Sequence, residues 1–245
     1  MMSRLSIRVA CLWLIVAVCF STVIQAQTRE RARAQRANAK QLNEAAERAS
    51  HAARVLDEIM AVPDKAIPRE LLERAQAIAV FPDVLRAAFV FGGRGGKGVI
   101  SRRLANGKWS APAFFALGGG SFGAQIGASK TDLVLLIMND AGLQGLLQDK
   151  VTLGGDVSVA AGPVGRSASA STNVTLDAGI LSYSRSKGAF IGAALEGAVI
   201  NPDNDLNQVV YGLKAKEILS GMQIDMSRLP RGLQLFAQTA ARYAR

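Results

Sequence analysis

The residues with the clearest capacity for chemistry lie in Phe89–Ile100, FVFGGRGGKGVI, where five glycines and two cations follow an apolar run. Gly93-x-Gly95-x-x-Gly98 matches a dinucleotide-loop fingerprint, and Gly118-x-Gly120-x-x-Gly123 matches it again. That fingerprint holds a pyrophosphate only where its last glycine opens a helix, whose unpaired amides then face the anion. Val99-Ile100-Ser101-Arg102 follows the first match and Ala124-Gln125-Ile126 the second, and both read as strand. A P-loop is excluded too, because Lys97 precedes Gly98 rather than Ser or Thr, and the spacing from Gly92 is one residue short. The glycines are expected instead to bend strands and admit close backbone approach, with Arg94 and Lys97 carried on a surface turn.

Other catalytic constellations are sparse. His51 is the only histidine and sits among alanines in a helical stretch, which predicts no catalytic role. No Gly-x-Ser-x-Gly elbow occurs. Cys11 and Cys19 both lie in the N-terminal apolar segment, so a processed chain has no disulfide, thiol nucleophile or thiolate metal site. Asp203-Asn204-Asp205 lacks the spaced ligands and closing Glu of a calcium loop. No metal and no cofactor is expected. Few acids lie near aromatics, which argues against a glycosidase carboxylate pair without eliminating one. Basic and aromatic residues do not interleave on strands, so nucleic acid is not an expected partner.

What the chain does carry is positive charge. It has 29 Lys and Arg against 19 Asp and Glu, a formal net charge of +10. Such a balance suits anionic lipid headgroups, acidic glycans or acidic proteins. Arg94, Lys97, Arg102, Arg103, Lys130, Arg166, Arg185 and Lys187 all fall on or near glycine-rich turns. If several share one face, they could hold lipid phosphates as point charges and bidentate forks. A second group, Arg29, Arg31, Arg33, Arg36 and Lys40, lies in a stretch with neither Gly nor Pro.

The elements that must position these side chains follow from periodicity. Arg4 and Arg8 precede an apolar run from Val9 to Phe20, too short to span a bilayer comfortably, with Ala26-Gln27 as a cleavage point. Residues 1–26 are therefore expected to be a signal peptide, and the protein to reach the periplasm or cell envelope or to be secreted. Val18 before Cys19 disfavours a lipoprotein signal. Residues 27–60 form a basic amphipathic helical segment, with Leu42, Ala45, Ala49, Ala52, Leu56 and Ile59 at steps of three or four. Pro68 opens a second helix, and Ile78–Phe81 is a short strand ended by Pro82. From residue 87 onward, short strand-like runs alternate with glycine and small polar residues. Asn106-Gly107 signals a type I′ hairpin, and Asn139 caps a short helix. Asn201–Asp205 is expected as a loop, with helices over 206–219 and 231–245. The fold class is α+β: N-terminal helices, a glycine-rich antiparallel sheet or barrel-like core with an inserted helix, and C-terminal helices.

The order of several stretches adds a resemblance. Ala77–Pro82, the Gly92–Gly98 run, Gly118–Gly127, Leu153-Gly154-Gly155-Asp156, Ala161–Arg166 and Tyr183–Gly192 together resemble the SYLF domain, also called the Ysc84 actin-binding domain family, in an exported bacterial member. The resemblance covers about residues 60–215, within a domain assigned to 61–245. It implies a non-enzymatic lipid-binding module, because eukaryotic members bind phosphoinositide membranes partly through a basic amphipathic segment at the start of the domain. By that likeness residues 28–48 approach the membrane, and anionic phospholipid is the expected partner. Some members bind actin, which an exported chain is not expected to meet. The alternatives are a structural or protein-interaction component of the envelope, and a hydrolase of unrecognised type.

Overall fold

The computed structural model describes residues 4–62, 66–88, 91–122, 127–148, 150–164, 178–186, 189–192 and 195–244. Arg166 and Lys187 lie outside them. The chain divides into two units, Met1–Gln41 and Leu42–Arg245. Helix α1 (Arg4–Met60) runs through the division without a break. In the first unit the described backbone is helical, and every side chain from Arg29 to Lys40 is exposed.

The second unit is built on one mixed sheet. Its strands are β1 (Ala77–Ala88), β2 (Phe91–Arg102), β3 (Ala113–Phe122), β4 (Gly127–Ile137), β5 (Val151–Thr152), β6 (Val159–Ala161), β7 (Ile180–Ser186), β8 (Ala189–Gly192) and β9 (Val199–Pro202). Eight of them run in the order β5-β9-β3-β2-β1-β4-β7-β6, and β8 pairs with β7 off that path. All pairings are antiparallel except β6 with β7. The helices are α2 (Arg69–Arg74), α3 (Asp140–Leu146), α4 (Asn204–Tyr211), α5 (Ala215–Leu219) and α6 (Gly232–Tyr243).

Alternating side chains give this sheet two buried faces. Ile78, Val80, Val99, Phe114, Val134, Leu136, Leu181 and Tyr183 pack with Ala45, Ala49, Ala52, Val55 and Ile59 of α1 and with Leu233, Phe236 and Ala240 of α6. Their sequence neighbours Ala77, Ala79, Phe81, Ile100, Phe115, Leu133, Leu135 and Ile137 turn to the opposite face, against Leu143 and Leu146 of α3 and Ile218 and Leu219 of α5. The first is the α1 face of the sheet and the second its α3 face. Double burial explains why β4 ends on the unbroken apolar run LVLLI instead of alternating with polar residues. Each fully buried Leu or Ile here contributes about 1.5–3 kcal/mol. The alanine stripe of α1 works by closeness: a Cβ on Gly232 at the start of α6 would stand 2.6 Å from the Ala46 carbonyl oxygen.

Polar clamps fix the second layer. Buried Asn207 of α4 mimics a peptide group, accepting from Phe114 N at 2.8 Å and donating to Phe114 O at 3.0 Å. Tyr211 donates to the Pro112 carbonyl at 3.0 Å, and its hydroxyl pKa is pushed up by burial. Arg48 of α1 pairs with Asp203 at 3.1 Å, which also caps α4.

Several expectations are corrected. Pro82 does not end β1: the strand continues to Ala88, and the prolyl residue, which has no N–H to donate, sits in a β-bulge where pairing shifts against both neighbours. Asp83 takes the strained conformation of that bulge at φ 49°, its N–H donating to Asp132. The Gly92–Gly98 run is not a turn but the middle of β2, paired residue by residue with β3. Asn106-Gly107 does turn a hairpin, but of another type. Leu104 accepts from Gly107, and Gly107 alone adopts positive φ, at 77°, giving a type I turn closed by a bulge glycine. Asn201 and Pro202 belong to β9, and the helix expected over 206–219 is two helices separated by Gly212 in the left-handed conformation.

Candidate functional site

The candidate site is a basic surface, and the structure divides it. In the first unit, Arg29, Arg33, Arg36 and Lys40 follow one another at steps of four, three and four along α1. On a 3.6-residue period those steps form one stripe, about 17 Å long, with Arg31 on the opposite side. All five side chains are exposed. Ala32, Ala34, Ala37 and Ala39 supply helix propensity between them but no large apolar anchor.

In the second unit the predicted cations have three different fates. Arg102, Arg103 and Arg185 hold the fold together. Arg102 donates to the Leu219 carbonyl, tying β2 to α5. Arg103 reaches the carbonyls of Leu72 and Ala75 and stacks over Trp109 with 5.0 Å between guanidinium carbon and ring centre. Arg185 makes two hydrogen bonds to Asp132, at 2.8 and 3.0 Å, and an ion pair to Glu58 of α1. Burial alone would lower the Arg185 pKa, but the hydrogen bonds it donates to these two carboxylates raise it. A guanidinium occupied in this way has few donors left for a ligand.

Arg94, Lys97 and Lys130 remain, and they do not share a face. β2 pairs with β3 without a register shift, so side-chain alternation carries through. Val99 lies on the α1 face and Ile100 on the α3 face. Lys97 therefore projects with Val99 and Arg94 with Ile100. By the same count along β4, Lys130 projects on the α1 face with Val134. Lys97 borders an open cleft of about 780 Å³ with Glu44, Glu47, Arg48, His51 and Arg54 of α1, where charges of both signs meet. His51 Nδ1 lies 3.9 Å from Asp83 Oδ2 there.

On the α3 face Arg94 is half-buried, with its Nε shielded from solvent and without a hydrogen-bond partner. Its pKa is lowered first by burial and then by Arg86. Arg86 stands directly opposite it across the β1–β2 pairing. Sequence reading missed Arg86, since no glycine flanks it; the alternation of β1 beyond Pro82 would have flagged it only if the bulge were known.

A second group went unflagged. Lys150, Lys214 and Lys216 line a cleft of about 540 Å³ together with Gln148, Asn204 and Pro202. Lys214 and Lys216 lie two residues apart but Lys150 is far from them in the chain, and no local signal joins the three. Among the described residues, no group of three or more His, Cys, Asp or Glu side chains is placed to hold a metal ion.

Comparison with known proteins bears on this arrangement. The family model described as "Ysc84: Las17-binding protein actin regulator" matches residues 118–241. "LAS seventeen-binding protein 3" of Saccharomyces cerevisiae is 40% identical over 163 residues, covering 64% of this chain and 35% of the yeast protein. "SH3 domain-containing YSC84-like protein 1" of Xenopus laevis is 34% identical over 179 residues, covering 69% of this chain and 53% of the frog protein. The chain thus spans between a third and about half of the length of these relatives.

Proposed function

This chain belongs to the Ysc84 family, and on that footing we propose that it is a non-enzymatic module that binds anionic phospholipid surfaces through its basic helical segment. The observation that carries the reading is the exposed stripe Arg29, Arg33, Arg36 and Lys40, four cations along one side of a helix. Crowded like charges repel one another, and an anionic surface relieves that repulsion. Each cation near such a surface contributes about 1 kcal/mol, and the attraction fades as salt shortens the Debye length. With no large apolar residue between Arg29 and Lys40, binding is electrostatic and peripheral rather than insertive.

We further propose that residues 1–26 are a leader removed on export, which would place the basic segment at the start of the mature chain. Intact mass of the exported product tests this: a mass matching residues 27–245 supports it, and an unprocessed chain overturns it. An envelope protein as partner remains the alternative. The family description and the yeast name point to proteins that bind Las17 and regulate actin, and the yeast protein is a longer chain of which this one matches about a third. Actin is left out of the reading because an exported chain does not meet it.

The test is co-sedimentation of the chain with phosphatidylcholine vesicles, with and without phosphatidylglycerol, at low and high salt. Pelleting confined to the anionic vesicles and lost at high salt is the expected result. Absence of pelleting in every condition overturns the reading. A parallel spin with actin filaments settles whether the family's actin description extends to this chain.

A further inference from the structure

We propose that Arg86 and Arg94 form a two-guanidinium clamp for a phosphate group on the α3 face of the sheet, a site distinct from the basic helix and independent of it. Strand register brings the two arginines together. Arg86 of β1 faces Arg94 of β2, Arg86 also faces Ser129 of β4, and Arg94 faces Gly119 of β3. Directly opposed residues project from the same side of a sheet, about 4.5–5.5 Å apart at Cβ. One row across four strands therefore reads Ser129, Arg86, Arg94, Gly119. It presents a hydroxyl, two guanidiniums and a position with no side chain.

Two opposed arginines repel each other, and a fold normally answers with a carboxylate. None answers here. Among the described residues neither Arg86 nor Arg94 forms an ion pair or a side-chain hydrogen bond, unlike Arg48, Arg185 and Arg242. Asp132, the acid in the same stretch of β4, projects on the α1 face and is taken by Arg185 and the Asp83 N–H. Glu196, in the turn beside Gly119, lies against Gly154 instead.

The surroundings hold Arg94 in place and leave Arg86 exposed. The Arg94 side chain lies along Gly119, its Cγ 3.6 Å from where a Cβ on that glycine would stand. The turn of Gly197 and Ala198 closes that side at 3.2 Å. Arg94 is thereby held half-buried with an unused Nε–H, while exposed Arg86 reaches the same row from solvent. Two guanidiniums carried in register on adjacent strands can both donate to a tetrahedral oxyanion seated on that row, which still has an oxygen to take a hydrogen bond from Ser129. A carboxylate offers two coplanar oxygens where a phosphate offers at least three in a tetrahedral array, so the phosphate supplies more acceptor directions for two guanidiniums and a hydroxyl. The shared chemistry is a phosphate group, carried either by a lipid headgroup or by a soluble phosphate.

The experiment uses the full chain, Arg86→Gln and Arg94→Gln. Thermal unfolding is followed in rising sodium phosphate and in sodium chloride of equal ionic strength. The readout is the difference between the two salts within each variant, so a change in basal Tm does not enter. A saturable rise of about 2–4 °C with phosphate is expected for the parent and none for either variant. A parent that responds equally to both salts, or a rise that survives in both variants, overturns the clamp. Vesicles of phosphatidylcholine with phosphatidic acid then identify the source. If the two substitutions lower pelleting, the clamp takes a lipid headgroup. If pelleting is unchanged while the phosphate response is lost, it takes a soluble phosphate. Failure of vesicle binding alone would remove the surface-binding reading and leave this one standing.

Discussion

The two ends of the central sheet are made from the same four strands and obey different rules. At one end, Ala77–Phe81, Val99–Ser101, Ala113–Phe115 and Leu133–Ile137 are buried on both faces under helices. At the other end β1 to β4 run past the bulge at Pro82-Asp83 into glycine and charge, where Leu85 is 48% exposed. The first end is specified by packing, so its arginines are spent on carbonyls and carboxylates. Among the described residues the second end has little packed against it, and Arg86 and Arg94 there form no ion pair. Stability and binding capacity are thus separated along a single set of strands, with the bulge as the border.

Substitutions can break or sharpen that contrast, beginning with the severest. Gly98 lies at the border: a Cβ there would meet the Val80 carbonyl oxygen at 2.3 Å and the Phe81 ring at 2.5 Å. Gly98→Ala should cost at least about 3 kcal/mol or abolish cooperative folding, because backbone cannot yield as a side-chain tip can. Gly93→Ala, whose nearest new contact is 3.9 Å away, should stay within about 0.5 kcal/mol in urea unfolding. An equal loss at both positions would show that the projecting end is packed after all.

Next in size is the apolar pair. Leu135→Ala, fully buried on the α3 face, should cost about 2–5 kcal/mol, and Leu85→Ala well under about 1 kcal/mol, by the same unfolding assay. The arginines give a smaller contrast. Arg185→Gln leaves Asp132 without its main counter-charge and should cost about 1–3 kcal/mol, whereas Arg94→Gln should be neutral or slightly stabilising in chloride because it removes a repulsion. Smallest in stability is the combined Arg29→Ala, Arg33→Ala, Arg36→Ala and Lys40→Ala change. It should leave the Tm of the Leu42–Arg245 unit unmoved while lowering partition onto anionic vesicles by roughly a thousandfold. A large fall in Tm there would mean that these residues serve folding.

Much of this was readable from residue order. The α1 stripe Ala45, Ala49, Ala52, Leu56 and Ile59 is buried as its spacing predicts, and Asn139 caps α3 by accepting from Gly142. Rejection of the nucleotide loop also agrees with the structure, since Gly98 leads on into strand and not into a helix. The α+β class and the membership of the family were both visible there. What misled was proline. A breaker normally ends a strand, but a bulge gave Pro82 a position needing no N–H, and Pro82–Arg86 joins what the sequence divides into two runs.

The basic site shows the same limit more sharply. Eight cations near glycines formed one group in sequence, and the structure separates the described ones into three structural ties, two on one face and one on the other. Local order sets which residues are helical, which alternate, and which carry charge, because those depend on side chains a few residues apart. Whether two cations meet depends on strand register, on one extra residue at a bulge and on which carboxylate a neighbouring helix brings within reach. Those are long-range contacts. Arg86 and Arg94 face each other, and Lys150 shares a cleft with Lys214 and Lys216, only because the closed sheet and its helices bring distant segments together.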